Sequence, residues 1–207
     1  SLGEGHIVTN HHVIGQDVDT KPVYVINKTL GKPVRVQVLQ SNGPLESTGE
    51  DFALLKMDGA TLPPFVIVRP QTSLKLNNVV AAGFPGDMIE IDAGFAEFRS
   101  GNVQAMPELT LTDGTINTEQ RLGVRTSVLM HSAALSTGNS GGPLVDMCGR
   151  VVGVNTFVRS GRLQNRNFAL SSLDLLRFLD SSGVTVSTDS ATCKPVVLRP
   201  GAKAEDP

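Results

Sequence analysis

The sequence predicts an all-β fold that ends in one helix, and three observations support this class. Short apolar runs recur between Gly, Pro and Asn turns, which is the rhythm of barrel strands. With 207 residues and 40% hydrophobic content, the chain is long enough for two modest cores of about 100 residues each. Near the C-terminal end, Ser171 is expected to cap a helix with an apolar face over 175–179, and Gly183 is expected to end it.

The predicted strands form an earlier and a later group, joined by a link over residues 70–78. The earlier group comprises residues 5–10, 23–27, 33–40, 51–57 and 65–69. The later group comprises residues 79–84, 97–106, 124–130, 143–147, 150–158 and 167–171. Between two strands of the later group, residues 109–121 are expected to form a polar, mobile loop in which Asp113-Gly114 signals a hairpin turn.

Charge and hydropathy exclude several classes of partner. Eighteen basic and twenty acidic side chains give a formal net charge of -2, without a long block of one sign. Nucleic acid is therefore not an expected partner. Because no stretch approaches the length of apolar sequence that a bilayer requires, membrane insertion is not expected either.

The two cysteines limit the chain to one internal disulfide. Cys148 lies in a turn of the later strand group, and Cys193 lies beyond the predicted helix. A bridge between them would tie the tail to the later strands and stabilise the fold by about 3 to 4 kcal/mol. The alternative is a pair of free thiols in a reducing compartment. We favour the bridge and an oxidising compartment.

Residues 137–144, Thr-Gly-Asn-Ser-Gly-Gly-Pro-Leu, predict a tight turn with an exposed serine, Ser140. Such a turn can aim the backbone N–H groups of Gly138 and Ser140 at one point, as an acyl-transfer oxyanion requires. An ordinary Gly/Pro turn between strands would have the same composition. A base and an orienting acid elsewhere in the chain decide between these interpretations.

Two further motifs supply those groups. Residues 9–13, Thr-Asn-His-His-Val, offer an imidazole after an apolar run, and Asp51 opens the apolar stretch Phe-Ala-Leu-Leu. Together with residues 138–143, these motifs resemble the trypsin-like serine protease family over about residues 5–180, and most closely its bacterial HtrA/Deg branch. The chain order His, Asp, Ser is that of chymotrypsin.

The resemblance implies two orthogonal six-stranded antiparallel barrels and a C-terminal helix, with the first strand of the first barrel missing from the chain. The implied division is a first barrel over 1–72, a second barrel with the helix over 73–183, and a tail or linker over 184–207. No PDZ module is expected within the sequence.

The resemblance also implies roles for individual residues. His12, Asp51 and Ser140 correspond to the catalytic triad, and Gly138, Asn139 and Ser140 to the oxyanion hole. His11 is then a flanking side chain, and His131 is expected to be structural. A metal site built from His6, His11 and His12 is the alternative, but suitably spaced cysteines or carboxylates are lacking, so no metal or cofactor is expected.

By the same resemblance, the specificity pocket has its base at Ala134 and Leu135 and its wall at Asn155, Thr156, Phe157 and Val158. The uncharged base at Ala134 disfavours Arg and Lys, and the bulk of Val158 disfavours aromatic side chains. We therefore expect cleavage after small aliphatic residues.

The function implied is that of a periplasmic or secreted serine endopeptidase acting on proteins or peptides, with oligomerisation left open. The alternative is a trypsin-like scaffold that binds peptides without cleaving them, because its oxyanion loop is collapsed or its first barrel incomplete.

Overall fold

The structure, a computed structural model, describes residues 1–15, 21–122, 126–159 and 166–195; the side chains of residues 88, 157–159 and 166 lie outside that description. The strands are β1 His6–Thr9, β2 Val23–Val25, β3 Val34–Asn42, β4 Phe52–Met57, β5 Ile67–Val68, β6 Asn78–Gly83, β7 Thr110–Leu122, β8 Thr126–His131, β9 Pro143–Asp146, β10 Val151–Arg159, β11 Arg166–Ser171 and β12 Thr188–Asp189. The helices are α1 His11–Ile14, α2 Leu45–Thr48, α3 Gly86–Glu90, α4 Phe95–Arg99 and α5 Ser172–Ser181, with 3-10 turns at Lys28–Leu30 and Val103–Ala105. Within the described ranges, no helix is long and apolar enough to cross a membrane.

The first sheet is an open half-barrel of four antiparallel strands in the order β1-β4-β3-β2. Strand β4 lies inside it and is buried on both faces. Ala53 and Leu55 pack with Val36 on one face, whereas Phe52 and Leu54 point to the other face and join a different core. This two-sided burial explains the continuous apolar run that follows Asp51.

The second sheet closes into a barrel. Its eight strands run in the order β11-β8-β7-β6-β9-β10-β5-β12, and an additional pairing of β10 with β11 joins the ends of a six-stranded ring. The short strands β5 and β12 extend the sheet beyond β10 as parallel additions. The core of the second barrel consists of Val68, Leu74, Val79, Ala81, Ile116, Leu129, Ala133, Leu144, Val152 and Ala169.

Helix α5 packs where the two sheets meet. Ser171 caps it by accepting a hydrogen bond from the Asp174 amide at 3.2 Å, as the sequence predicted. The ring of Phe178 stacks on Phe52 of β4, with 5.3 Å between the ring centroids. The helix is therefore the main apolar connection between the first sheet and strands β8, β10 and β11. The interface core consists of Leu2, Phe52, Leu54, Ile67, Val128, Val151, Val154, Phe168, Leu170, Leu175, Leu176, Phe178 and Leu179.

The predicted all-β class with a C-terminal helix is confirmed. Of the two six-stranded barrels that the resemblance implied, the second is closed, whereas the first is a half-barrel of four strands within the described ranges. Three further elements differ from the sequence prediction. Strand β5, expected with the earlier group, pairs with β10 and β12. The segment expected to be a strand over 97–106 contains α4 and a 3-10 turn instead. The segment expected to be a loop over 109–121 is the long strand β7.

Gly114 explains why the sequence predicts a loop where the structure has strand β7. A Cβ at this position would overlap the backbone of Ser132 and Ala133, so the glycine permits a close approach of two chain segments and is not part of a turn. The division of the chain at residues 72 and 183 stays a prediction.

The predicted disulfide between Cys148 and Cys193 is present. It fixes the segment that follows α5, which returns as β12 beside β5. The Arg150 guanidinium strengthens this attachment, because it binds Asp146 at 2.7 Å and Asp189 at 2.6 Å. The tail is thus docked on the second sheet as far as the described residues reach.

Candidate active site

Asp51 is held in place by three groups from the first half of the chain. Its Oδ1 accepts the His12 backbone N–H at 3.0 Å, and its Oδ2 lies 2.7 Å from Nδ1 of the His12 ring. The side-chain amide of Asn10 donates to the Asp51 carbonyl at 2.8 Å. Since β1 and β4 pair directly, His12, which follows β1, lies next to Asp51, which precedes β4.

The electrostatics of this pair orient the imidazole, with its Nδ1 towards the carboxylate. Burial of Asp51, which is 3% exposed, would raise its pKa, but hydrogen bonds from the His12 ring, the His12 amide and Thr156 outweigh burial and lower the pKa. The same hydrogen bond to Asp51 raises the pKa of His12. Because an ionised carboxylate only accepts, Nδ1 carries the proton, and Nε2 is left as the basic nitrogen.

Thr156 connects the two halves of the site. Its hydroxyl donates to Asp51 Oδ2 at 2.8 Å, and its carbonyl accepts the Ser140 hydroxyl at 2.9 Å. A serine hydroxyl has one proton, so Ser140 does not donate to the His12 ring in this arrangement. A rotation about the Ser140 side-chain bond would be needed to present that proton to the imidazole.

The turn that carries Ser140 is wedged against both sheets. Gly141, with φ +80°, lies against Thr9 and Asn10, so that a Cβ there would overlap the Thr9 side chain. The Gly141 amide donates to the Asn155 carbonyl at 2.8 Å, and the Asn155 amide donates to Gly142 at 2.9 Å. The serine turn therefore touches the histidine motif on one side and is pinned to β10 on the other.

Two amides of this turn are open for a ligand. Among the described residues, the N–H groups of Gly138 and Ser140 donate to no protein acceptor, whereas the Asn139 amide donates to Ser136 at 3.1 Å. The Thr137 carbonyl accepts the Gly86 amide at 2.7 Å. Because N–H and C=O point in opposite directions across a trans peptide, that bond turns the Gly138 amide away from Gly86.

Comparison with known proteins shows which family the chain belongs to. The trypsin-like peptidase domain family matches residues 2–154. The chain belongs to this family. Protein y4bJ of Sinorhizobium fredii is 32% identical over 92% of this chain and 28% of its own length. A probable periplasmic serine endoprotease, DegP-like, of Pseudomonas putida is 30% identical over 81% of this chain and 30% of its own length.

Among solved structures, the HtrA-type protease AlgW with a decapeptide superposes with a TM-score of 0.67. It is 25% identical, and the match covers 88% of this chain and 49% of that one. The chain thus spans about a third of the length of these curated relatives and about half of the solved chain.

The pocket residues that the trypsin-like resemblance implied are only partly gathered at this turn. Asn155 and Thr156 are buried directly behind Ser140. Ala134 is exposed, and its carbonyl accepts the Thr112 hydroxyl at 2.8 Å, while Leu135 packs partly on the core of the second barrel. The side chains of Phe157 and Val158 lie outside the described residues, although their backbones pair with β11.

The other histidines lie apart from the hydrogen bonds of Asp51. Nδ1 of His11 hydrogen-bonds the Ser41 hydroxyl at 2.7 Å. His131 is fully buried. Burial lowers the pKa of His131 to about 4, so it is a neutral side chain in the interior.

Sequence reasoning missed the groups that support the predicted residues. The hydroxyl of Thr156 and the side chain of Asn10 both act on Asp51, and Gly86 and Asp87 both bind the segment before Ser140. The sequence Gly-Phe-Pro-Gly-Asp over 83–87 has the composition of a turn, but no local pattern specifies its contact more than 45 residues further along the chain.

Proposed function

We propose that this domain is a serine endopeptidase in which His12, Asp51 and Ser140 form the catalytic triad. The observation that carries the proposal is the hydrogen-bonded series from the His12 ring through Asp51 to the Thr156 hydroxyl, with Ser140 on the carbonyl of the same threonine. Three distant segments of the chain converge there. Their order and chemistry are those of a general base, its orienting acid and a nucleophile.

In the proposed reaction, Nε2 of His12 takes the Ser140 proton while the hydroxyl oxygen attacks the scissile carbonyl. Asp51 stabilises the imidazolium that forms, which agrees with the raised pKa of His12. The open amides of Gly138 and Ser140 are the proposed donors to the oxyanion. Asn139 shapes the hole through its bond to Ser136 and does not donate to the oxyanion.

We further propose that the substrate binds as an extended strand along residues 155–158. The Thr156 carbonyl is the acceptor that a substrate backbone N–H would take. Occupying it would displace the Ser140 hydroxyl and leave that hydroxyl free to turn towards His12. The solved structure of the AlgW relative contains a decapeptide, which supports a peptide as the class of ligand.

For specificity, we propose small aliphatic residues at the cleavage position. Ala134 offers no charge to a guanidinium or ammonium group, so a substrate Arg would lose hydration without compensation. Discrimination among Ala, Val and Ile should be modest, because one methylene changes the barrier by only about 1 to 3 kcal/mol. A peptide library should show this profile, and a dominant preference for Arg, Lys or Phe would contradict it.

A periplasmic or secreted location is part of the proposal. The disulfide between Cys148 and Cys193 favours an oxidising compartment. The DegP-like relative is named as a probable periplasmic protease. On charge and hydropathy, we expect neither nucleic acid nor a membrane as a partner, and we assign no oligomeric state.

The decisive experiment is labelling of the purified domain with a fluorophosphonate probe, with Ser140→Ala as the control. We expect covalent labelling of the parent only, and a loss of turnover by Ser140→Ala of about 10⁶-fold. The variant should keep its melting temperature, since it loses one partly exposed oxygen. An unlabelled, folded parent would favour the peptide-binding scaffold, and residual turnover within tenfold would require another nucleophile.

A further inference from the structure

We propose that Asp87 is a positioning residue for the oxyanion hole, and this inference rests on the proposed function. Asp87 ends the support segment, residues 83–87, which leaves β6 and enters α3. The segment lies along residues 136–139, the oxyanion loop. Backbone, packing and side-chain contacts join the two, and each restricts the loop in a different way.

The backbone contact sets the direction of one donor. The Gly86 amide holds the Thr137 carbonyl at 2.7 Å, and this fixes the plane of the peptide that joins Thr137 to Gly138. If this peptide flipped, the Thr137 carbonyl would point into the hole and the Gly138 amide would point out of it. The hole would then present an acceptor where the oxyanion needs a donor.

The packing contacts leave the oxyanion loop little room to shift. A Cβ at Gly138 would overlap the Phe84 carbonyl, and a Cβ at Gly83 would lie 2.7 Å from Nδ2 of Asn139. Both glycines thus mark places where the loop and the support segment approach to within backbone distance. These contacts keep the loop near the segment, but they carry no directional bond to it.

The side-chain contact supplies that direction. The Ser136 hydroxyl donates to Oδ1 of Asp87 at 3.0 Å, a shorter distance than the 3.5 Å to Oδ1 of Asn139. Ser136 in turn accepts the Asn139 amide at 3.1 Å through its carbonyl, and its own amide lies 3.3 Å from Oδ1 of Asn139. Ser136 is therefore the residue on which the loop closes. Asp87 ties that residue to the support segment.

These contacts predict a kinetic effect without a large effect on stability. Asp87 is exposed, so its bond to Ser136 should contribute modestly to folding. Loss of the bond frees the first residue of the loop, and misplaced donors weaken binding of the transition state more than that of the ground state. The expected result is a lower kcat with little change in KM.

The test compares Asp87→Ala with Asp87→Asn, which keeps an acceptor oxygen at the same place. Using p-nitrophenyl butyrate, whose short acyl chain makes little demand on the pocket, we expect Asp87→Ala to lower kcat about 3- to 10-fold, the effect of one hydrogen bond. KM should stay within about twofold. Asp87→Asn should restore most of kcat. Glu90→Ala is the matched control, because it removes the same charge from the same helix, and it should leave kcat unchanged.

Ser136→Ala provides the second arm. It should lower kcat as Asp87→Ala does, and the double variant should lose no more than either single one, since both changes break the same bond. Equal kcat for Asp87→Ala and the parent, or additive losses in the double variant, would overturn the inference. A parent that neither labels with fluorophosphonate nor cleaves the ester would contradict the proposed function instead.

Discussion

The two halves of this domain carry the proposed chemistry on different kinds of support. The second barrel is closed by the pairing of β10 with β11, and it presents Ser140 on a turn that backbone bonds pin to β10. Within the described ranges, the first sheet pairs four strands and does not close, yet it presents His12 and Asp51. In the second barrel, closure of the sheet holds the serine turn in place. In the first sheet, the hydrogen bonds to Asp51 hold the proposed catalytic residues in place instead.

This difference shows how an open sheet can hold a precise group. Asp51 is almost fully buried and receives hydrogen bonds from both halves, through His12 on one side and Thr156 on the other. Removing any one partner leaves a buried carboxylate with less compensation. We therefore expect a substitution at Asp51 to lower activity and a substitution in the interface core to lower stability.

Asp51→Asn should produce the largest effect, a loss of kcat/KM of about 10⁴-fold, because an amide cannot hold the His12 ring in the same tautomer. Catalysis that depends on the oxyanion amides alone should remain. The lower limb of the pH profile should move to lower pH, since Asp51 is what raises the pKa of His12. Steady-state kinetics across pH would measure both results, and an unchanged pH limb would contradict the assignment of His12 as base.

Phe52→Ala should weaken the packing between the first sheet and helix α5. Its ring stacks on Phe178 in the interface core, and we expect the truncation to lower the free energy of unfolding by about 3 to 5 kcal/mol. Ile116→Ala, inside the second barrel, is the comparison and should cost about 2 to 5 kcal/mol.

The region in which hydrogen exchange becomes faster distinguishes these two variants. Hydrogen exchange should show faster exchange mainly in β1 to β4 for Phe52→Ala and throughout the second barrel for Ile116→Ala. Equal protection of both halves in both variants would mean that the domain unfolds as one unit and that the two halves do not differ in their support.

Acidification should weaken the second barrel before the first sheet. The pKa of His131 is lowered to about 4 in the folded state, so the unfolded chain binds a proton between its ordinary value of 6.5 and 4. Over that window the free energy of unfolding should fall by about 3 kcal/mol as pH falls. The lowered pKa of Asp51 acts later, because its contribution is present above 3.8 and is lost as pH falls through the folded value.

Urea unfolding from pH 7 to pH 4 would measure this effect. His131→Leu, which replaces the ring by an apolar side chain, should flatten the dependence over this range, which lies above the pH at which the contribution of Asp51 is lost. A variant with the same pH dependence as the parent would show that another group controls acid stability.

Local patterns in the sequence were enough to predict the class and the helix with its Ser171 cap. Short motifs also named the residues of the candidate triad, which stay a prediction. Each of these depends on a short motif with a fixed local geometry. Strand β7 could not be predicted in this way, because its Asp113-Gly114 pair has the composition of a turn and Gly114 is required by a distant segment. The bond from Thr156 to Asp51 spans 105 residues, and no local pattern specifies a partner so far away.

Directed evolution of this domain should leave three glycine positions unchanged, because none of them has room for a side chain. At Gly138, Gly141 and Gly142, an added methyl group would meet a carbonyl of the support segment, the Thr9 side chain of the first sheet, or the Ala82 carbonyl of β6. Each obstacle belongs to a different strand or segment, so no single compensating change elsewhere can relieve them all. Thr137 is exposed, so a library can vary its side chain while keeping all three glycines.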